Sequence, residues 1–183
     1  MSKRRICVVT GSRADYGLLR PVMEAVRAAP DFRLQTLVTG MHLAPEFGLT
    51  HRTLEDDGFS IDARVEMLVS SDSGCGVAKS VGLGVAGCAD AFARLQPELV
   101  LVLGARFEIL AAVQAALFAR IPVAHIAGGD LTEGAVDDAI RHSITKMAHL
   151  HFTTHAVAAQ RVRQLGEDPA HIFIVGSPGI DAL

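Results

Sequence analysis

One rhythm constrains this chain more than any other feature of its sequence: short apolar runs alternate with helical patterns along its whole length. The runs are Ile6–Thr10, Phe32–Thr39, the alternating Ile61, Ala63, Val65 and Met67, then Leu99–Leu103, Ile121–Ile126, His151–Thr154 and Ile172–Val175. Between them, apolar spacing predicts helices over Leu18–Ala28, from a Ser73 cap through Leu95, over Phe107–Ala119, after His125, and over Ala156–Leu165. Strands that are apolar throughout belong to a parallel sheet covered on both faces. Right-handed crossovers then give an α/β fold with a doubly wound, Rossmann-like parallel sheet. Pro21 is expected in the first turn of its helix, where its missing N–H matters least. The 183 residues suit one domain with a real core, and no repeat, low-complexity tract or long linker divides them.

Composition narrows function by exclusion. Half the residues are apolar, there is no Trp and one Tyr, and the net charge is −3. An aliphatic interior fits this better than an aromatic stacking surface, and the charge gives no reason to expect a nucleic-acid partner. Cys7, Cys75 and Cys88 form no CxxC or metal-type spacing, which points to reduced thiols and a cytoplasmic protein. Lys3, Arg4 and Arg5 precede an apolar run that stops at Thr10-Gly11, too short for a signal peptide or a membrane span.

In a doubly wound sheet, ligands bind beyond the carboxyl ends of the strands. That rule selects the loops at 11–16, 40–42, 104–108, 127–134 and 176–179. They hold Arg13, Asp15, His42, Arg106, Glu108, Asp130, Glu133 and Ser177, with His125 just inside. The densest stretch is HIAGGDLTEGAVDDAIRHSIT, His125 to Thr145. In helical phase Val136, Ile140, Ile144 and Met147 make one narrow apolar stripe, with Asp137 and Arg141 beside it and Asp138, His142 and Thr145 farther round. Asp137 is therefore expected at the edge of the buried face, partly desolvated and within i,i+4 reach of Arg141. The plainer reading is that Asp137 and Asp138 complement the helix dipole, as surface helices routinely do. For His125, a ligand-facing ring and a satisfied buried ring are both open. Ser177, in a Gly-Ser-Pro-Gly turn without a nucleophile elbow, reads as a turn or ligand hydrogen-bonding residue.

Two other patterns are set aside. GLGVAG at 82–87 has the glycine spacing of a dinucleotide fingerprint, yet it lies inside the helical stripe Val77–Leu95 rather than between a strand and a helix. Close helix-to-sheet contact is the expected use of those glycines, so no nicotinamide or flavin cofactor is expected. His142, His149, His151 and His155 are dense, but their spacing gives no helical metal pair with a third ligand, and no metal is expected.

The segments GSRADYGLL (11–19), LGARFE (103–108), HIAGGDLTEGAVDDAIRHSITKMAHLHF (125–152) and VGSPGIDAL (175–183) together resemble the hydrolysing UDP-N-acetylglucosamine 2-epimerases of sialic- and nonulosonic-acid biosynthesis. The resemblance runs from Ile6 to the last residue. It implies one half of a glycosyltransferase-B-like two-domain fold. Residues 1–183 would form the amino-terminal Rossmann-like domain, with the second, UDP-binding domain absent from this chain. It implies a UDP-sugar ligand, UDP-N-acetylglucosamine in the commonest case, and a homodimer or homotetramer. The implied reaction expels UDP from C1 as a proton leaves C2, giving a 2-acetamidoglucal that water converts to N-acetylmannosamine. By the same resemblance Asp137 and Asp138 match catalytic carboxylates, Asp130 a third where glutamate is usual, and Arg13 an arginine near the diphosphate. Arg106, His125, Arg141 and His142 take positions that line or brace the pocket, and Ser177 one that hydrogen-bonds the substrate.

The sequence departs from the family pattern at two places. Ala105 stands where the motif LGDRFE has a catalytic aspartate, and Ala127 where some members place a glutamate. A chain with Ala105 and without the second domain is expected to be inactive by itself. The competing reading is a catalytically silent nucleotide-sugar-binding or assembly module on the same scaffold. A third, a flavodoxin-like regulator, would bind no sugar nucleotide.

Overall fold

In a computed structural model, which describes residues 3–134 and 136–181, the apolar runs become β1 (Arg4–Thr10), β2 (Phe32–Thr39), β3 (Ala63–Val65), β4 (Leu99–Leu103), β5 (Val123–Ile126), β6 (Leu150–Thr153) and β7 (Ile172–Ile174). The helices are α1 (Arg13–Ala28), α2 (His51–Asp56), α3 (Gly74–Leu95), α4 (Phe107–Phe118), α5 (Asp137–Met147), α6 (Ala156–Gln164) and α7 (Pro178–Asp181). Short 3-10 turns occupy Gly40–Leu43, Pro45–Phe47 and Pro169–His171. Every strand pair is parallel, and the order across the sheet is β3-β2-β1-β4-β5-β6-β7. This is the doubly wound, Rossmann-like sheet that the alternation predicts.

Alternate residues of the same strands feed two cores. Cys7, Val9, Val100, Val102 and Val123 face α3, α4 and α5, meeting Phe92, Ile109, Ala112 and Ile144. Ile6, Val8, Leu101, Leu103 and Ile126 face the other way, with Tyr16, Leu19 and Met23 of α1 and Leu54 of α2. A fully buried aliphatic side chain such as Leu19 or Leu37 contributes roughly 1.5–3 kcal/mol by leaving water.

The differences from the predicted elements have local causes. α1 starts at Arg13 rather than Leu18 because Ser12 caps it: the Asp15 N–H donates to Ser12 Oγ while the Asp15 carboxylate takes the Ser12 N–H. Pro21 therefore lies in the helix interior, not its first turn. Its position is exposed, as is Gly17, whose carbonyl the missing N–H would have met, so solvent can take that acceptor. β3 is shorter than Ile61–Met67 because it is an edge strand that registers only with Leu37, Val38 and Thr39; Met67 is buried beyond its end.

Of the GLGVAG glycines, Gly84 and Gly87 serve packing, whereas Gly82 faces open space. A Cβ on Gly84 would lie 2.8 Å from Met67 Cε and 2.9 Å from Ala111 Cβ, and one on Gly87 would lie 2.6 Å from Val65 Cγ1. α3 is long and apolar enough to cross a membrane by length and composition. In this fold it is a layer helix, with Cys88 and Phe92 in the core shared with α4 and the sheet.

Candidate active site

β1 leads outward to β2 and β3, whereas β4 leads the other way to β5, β6 and β7. The carboxyl ends of β1 and β4 thus flank a topological switch point, the place where open α/β sheets hold ligands. Beneath its rim lies a buried polar layer. Asp15 Oδ1 accepts from Thr10 Oγ1, the Ser12 N–H and Ser12 Oγ, and Oδ2 accepts from the Gly11 N–H. With its proton given to Asp15, the Thr10 hydroxyl can only accept from His42 Nε2, 2.9 Å away, and His42 Nδ1 then accepts from Thr50 Oγ1 at 2.8 Å. Burial lowers the His42 pKa, with Asp15 opposing, which agrees with that neutral ring.

Glu108, in the first turn of α4, completes the layer. Its Oε1 accepts from Arg106 Nε at 3.1 Å and Nη2 at 2.8 Å, while Arg106 Nη2 also approaches Met41 Sδ at 3.6 Å. Burial raises the Glu108 pKa and Arg106 opposes the rise. Ala105, between the left-handed Gly104 and Arg106, is buried.

At the end of β5, His125 is fully buried. Nε2 donates to the Gly104 carbonyl at 2.8 Å, so Nδ1 accepts from Thr145 Oγ1 at 3.1 Å. Burial pushes its imidazole down to about 4. Of the two roles open for this ring, the structure takes the satisfied buried one; through Gly104 it supports the loop that carries Ala105 and Arg106.

The chain then enters a strained loop. Ala127 has φ of +62°, a left-handed conformation that costs a non-glycine residue stability. Arg141 Nη1 donates to the Ala127 carbonyl at 2.9 Å and Nη2 to Thr132 Oγ1 at 2.6 Å. Two expectations are corrected here. Val136 is exposed at the N-cap of α5, not part of a buried stripe, because the helix begins only at Asp137. Asp137 is exposed, and Arg141 is committed to the loop rather than to Asp137; the close i,i+4 contact is instead Asp138 Oδ2 with His142 Nε2, at 3.3 Å. Asp138 Oδ1, Arg141 Nε and His142 Nδ1 are buried without hydrogen-bond partners among the described residues.

Asp130 accepts from Thr154 Oγ1 and lies 3.6 Å from His155 Nε2. With Ser177, Arg161 and Ile180 these residues line a hollow of about 720 Å³. Arg13, exposed at the start of α1, lines a different hollow of about 480 Å³ with Tyr16, Arg20 and Asp57. The predicted residues therefore share one edge of the sheet but do not all gather around Asp137. Among the described residues no group of three or more side chains is disposed to hold a metal.

The family described as UDP-N-acetylglucosamine 2-epimerase matches residues 24–183. This chain belongs to the UDP-N-acetylglucosamine 2-epimerase family. The chain is 43% identical over 177 residues to the GDP/UDP-N,N'-diacetylbacillosamine 2-epimerase (hydrolyzing) of Campylobacter jejuni. It is 39% identical over 180 residues to the UDP-N,N'-diacetylbacillosamine 2-epimerase (hydrolyzing) of Legionella pneumophila. Those alignments cover 97% and 98% of this chain but 46% and 48% of the relatives, so it spans about half the length of the curated epimerases it matches. The crystal structure of the Neisseria meningitidis UDP-GlcNAc 2-epimerase bound to UDP-GlcNAc has the same fold, with a TM-score of 0.84 at 19% identity over 97% of this chain and 48% of that one.

For an epimerase-family chain, the motif residues account for the rim but not for what lies beneath it. Asp15, His42 and Glu108 read as loop polar residues in the sequence, and all three are buried. The Ser12-x-x-Asp15 spacing is a legible capping signal; nothing local announces that Glu108 is sealed between loops from two other strands.

Proposed function

We propose that this chain is the amino-terminal half of a hydrolysing UDP-sugar 2-epimerase and that the carboxyl edge of its sheet forms one wall of the sugar-nucleotide cleft. One observation carries the reading. Loops bearing Arg13, Arg106, Asp130 and Asp137 leave the same edge of a parallel sheet, in a chain 43% identical to a hydrolysing 2-epimerase. In the reaction the C2–H and C1–O bonds break as a C1=C2 double bond forms, and water then adds across it to give the 2-epimer. The C2 proton is weakly acidic, so a carboxylate base works only in concert with departure of UDP. Exposed Asp137 is free to reach a ligand as that base, with Asp138 held beside it by His142 and Asp130 as a third carboxylate. Arg13 and Arg106 supply cationic N–H groups to the diphosphate as its charge grows. Arg141 fixes the loop between β5 and α5, His125 supports Gly104, and Ser177 lines the same hollow as Asp130, where its hydroxyl can hydrogen-bond a ligand.

The substrate we assign is a UDP-2-acetamido sugar. UDP-N-acetylglucosamine, yielding N-acetylmannosamine, is the simplest, and the names of the two relatives make UDP-N,N'-diacetylbacillosamine the second to offer. Free, buried Cys7 and Cys88 support a reducing, cytoplasmic setting. Exposed Leu83, Leu117 and Phe118 on α3 and α4 support a homo-oligomer. Ala105 favours one alternative, a silent nucleotide-sugar-binding module, because an alanine supplies neither base nor hydrogen bond. The test extends the chain through the half its relatives carry and compares Ala105 with Ala105→Asp. UDP release from either sugar is expected to rise roughly 10²–10⁴-fold with the aspartate. No release above background from either protein defeats the enzyme reading, and UDP binding without release leaves the silent module.

A further inference from the structure

Glu108 has no exposed surface, yet one of its carboxylate oxygens is unused: Oε1 takes two N–H groups of Arg106, and Oε2 has no hydrogen-bond partner among the described residues. A pair kept only for stability would not be built this way, since a buried, unsatisfied carboxylate oxygen destabilises the fold. The chain nevertheless makes room for it. Gly11 and Gly40, in the loops after β1 and β2, approach so closely that a Cβ on them would lie 3.3 Å from Glu108 Cβ and 2.6 Å from its Cγ. Arg106 is different: its side chain keeps 38% of its surface exposed. Glu108 grips the guanidinium along its Nε edge, which fixes the plane of the group and leaves Nη1 for solvent or a ligand. A planar guanidinium held in this way matches the oxygens of a phosphate.

We infer that Glu108 is a positioning residue of this site, holding Arg106 at the switch point so that its free edge meets the diphosphate of the sugar nucleotide. The inference takes its ligand from the epimerase reading, so its test separates the two. In the chain extended through its second half, Glu108→Met keeps an unbranched side chain of equal reach and removes the acceptor, and Glu108→Gln gives Oε1 back. Glu108→Met is expected to keep or gain thermal stability while its affinity for UDP, measured calorimetrically, falls roughly 10- to 100-fold. Glu108→Gln recovers most of that loss, and Glu108→Met added to Arg106→Ala weakens UDP binding no further. Should Glu108→Met fail to fold, Glu108→Asp, which withdraws the carboxylate from Arg106 by one methylene, carries the same cycle. Parent-like UDP affinity in the Glu108 variant, or losses that multiply with Arg106→Ala, overturns the inference. UDP binding with no release from a UDP-sugar, in the parent and in Ala105→Asp alike, ends the enzymatic reading and leaves the cycle decisive; a parent that does not bind UDP overturns both.

Discussion

His125 illustrates what a single residue does here. Its ring ties β5 to Gly104 and to Thr145 of α5, and burial lowers its pKa from 6.5 to about 4. The folded protein thus prefers the neutral ring, while the unfolded chain takes up a proton below pH 6.5. The contribution is fully present above pH 6.5 and is lost as pH falls from 6.5 toward 4, by on the order of 3 kcal/mol. Urea unfolding at pH 7 and pH 4.5 is expected to show that loss in the parent and a smaller one in His125→Gln. Equal losses would mean that the ring is not buried neutral. The wording of the sequence leaves His125 undecided between ligand and core, because a strand-end position fits both. Only the pairing of β5 with β4 and the packing of α5 bring Gly104 and Thr145 to its two nitrogens.

Among the elements, α3 and α5 show how periodicity succeeds and fails. The apolar stripe of α3 places the helix correctly, and Gly84 and Gly87 lie where the backbone must come close to Val65, Met67 and Ala111. Gly87→Ala is expected to lower the unfolding free energy by roughly 1–3 kcal/mol through overpacking. Gly82, with open space beside it, is expected to be neutral or to gain up to about 1 kcal/mol as alanine. Denaturant midpoints decide this, and equal effects at both positions would contradict the packing. In α5 the stripe is right for Ile140, Ile144 and Met147 but wrong for Val136, because a helical wheel cannot say where a helix begins. Nor could it foresee that Arg141 would turn back to hold the Ala127 carbonyl, since its partner is a strained loop outside the helix.

For the molecule as a whole, the outer face of α3 and α4 presents Leu83, Leu117 and Phe118, the last 82% exposed, beside a hollow of about 600 Å³ lined by Val85, Ala89, Phe92 and Ile121. If a second copy covers this face, Phe118→Glu is expected to convert the assembly to monomer in sedimentation velocity while leaving the melting temperature of the fold within a few degrees, about the shift of 1 kcal/mol or less. An unchanged sedimentation coefficient would place the interface elsewhere. The sequence by itself determined the alternation of strand and helix, and with it a parallel sheet, the edge on which ligands would sit, and the family, because apolar period and motif order are written locally along the chain. Tertiary structure alone decided which polar residues are sealed and which are free. Glu108 is buried because loops after β1 and β2 close over it, and Asp137 is exposed because its helix starts at the rim; both outcomes depend on contacts between residues far apart in the chain, which no local pattern encodes.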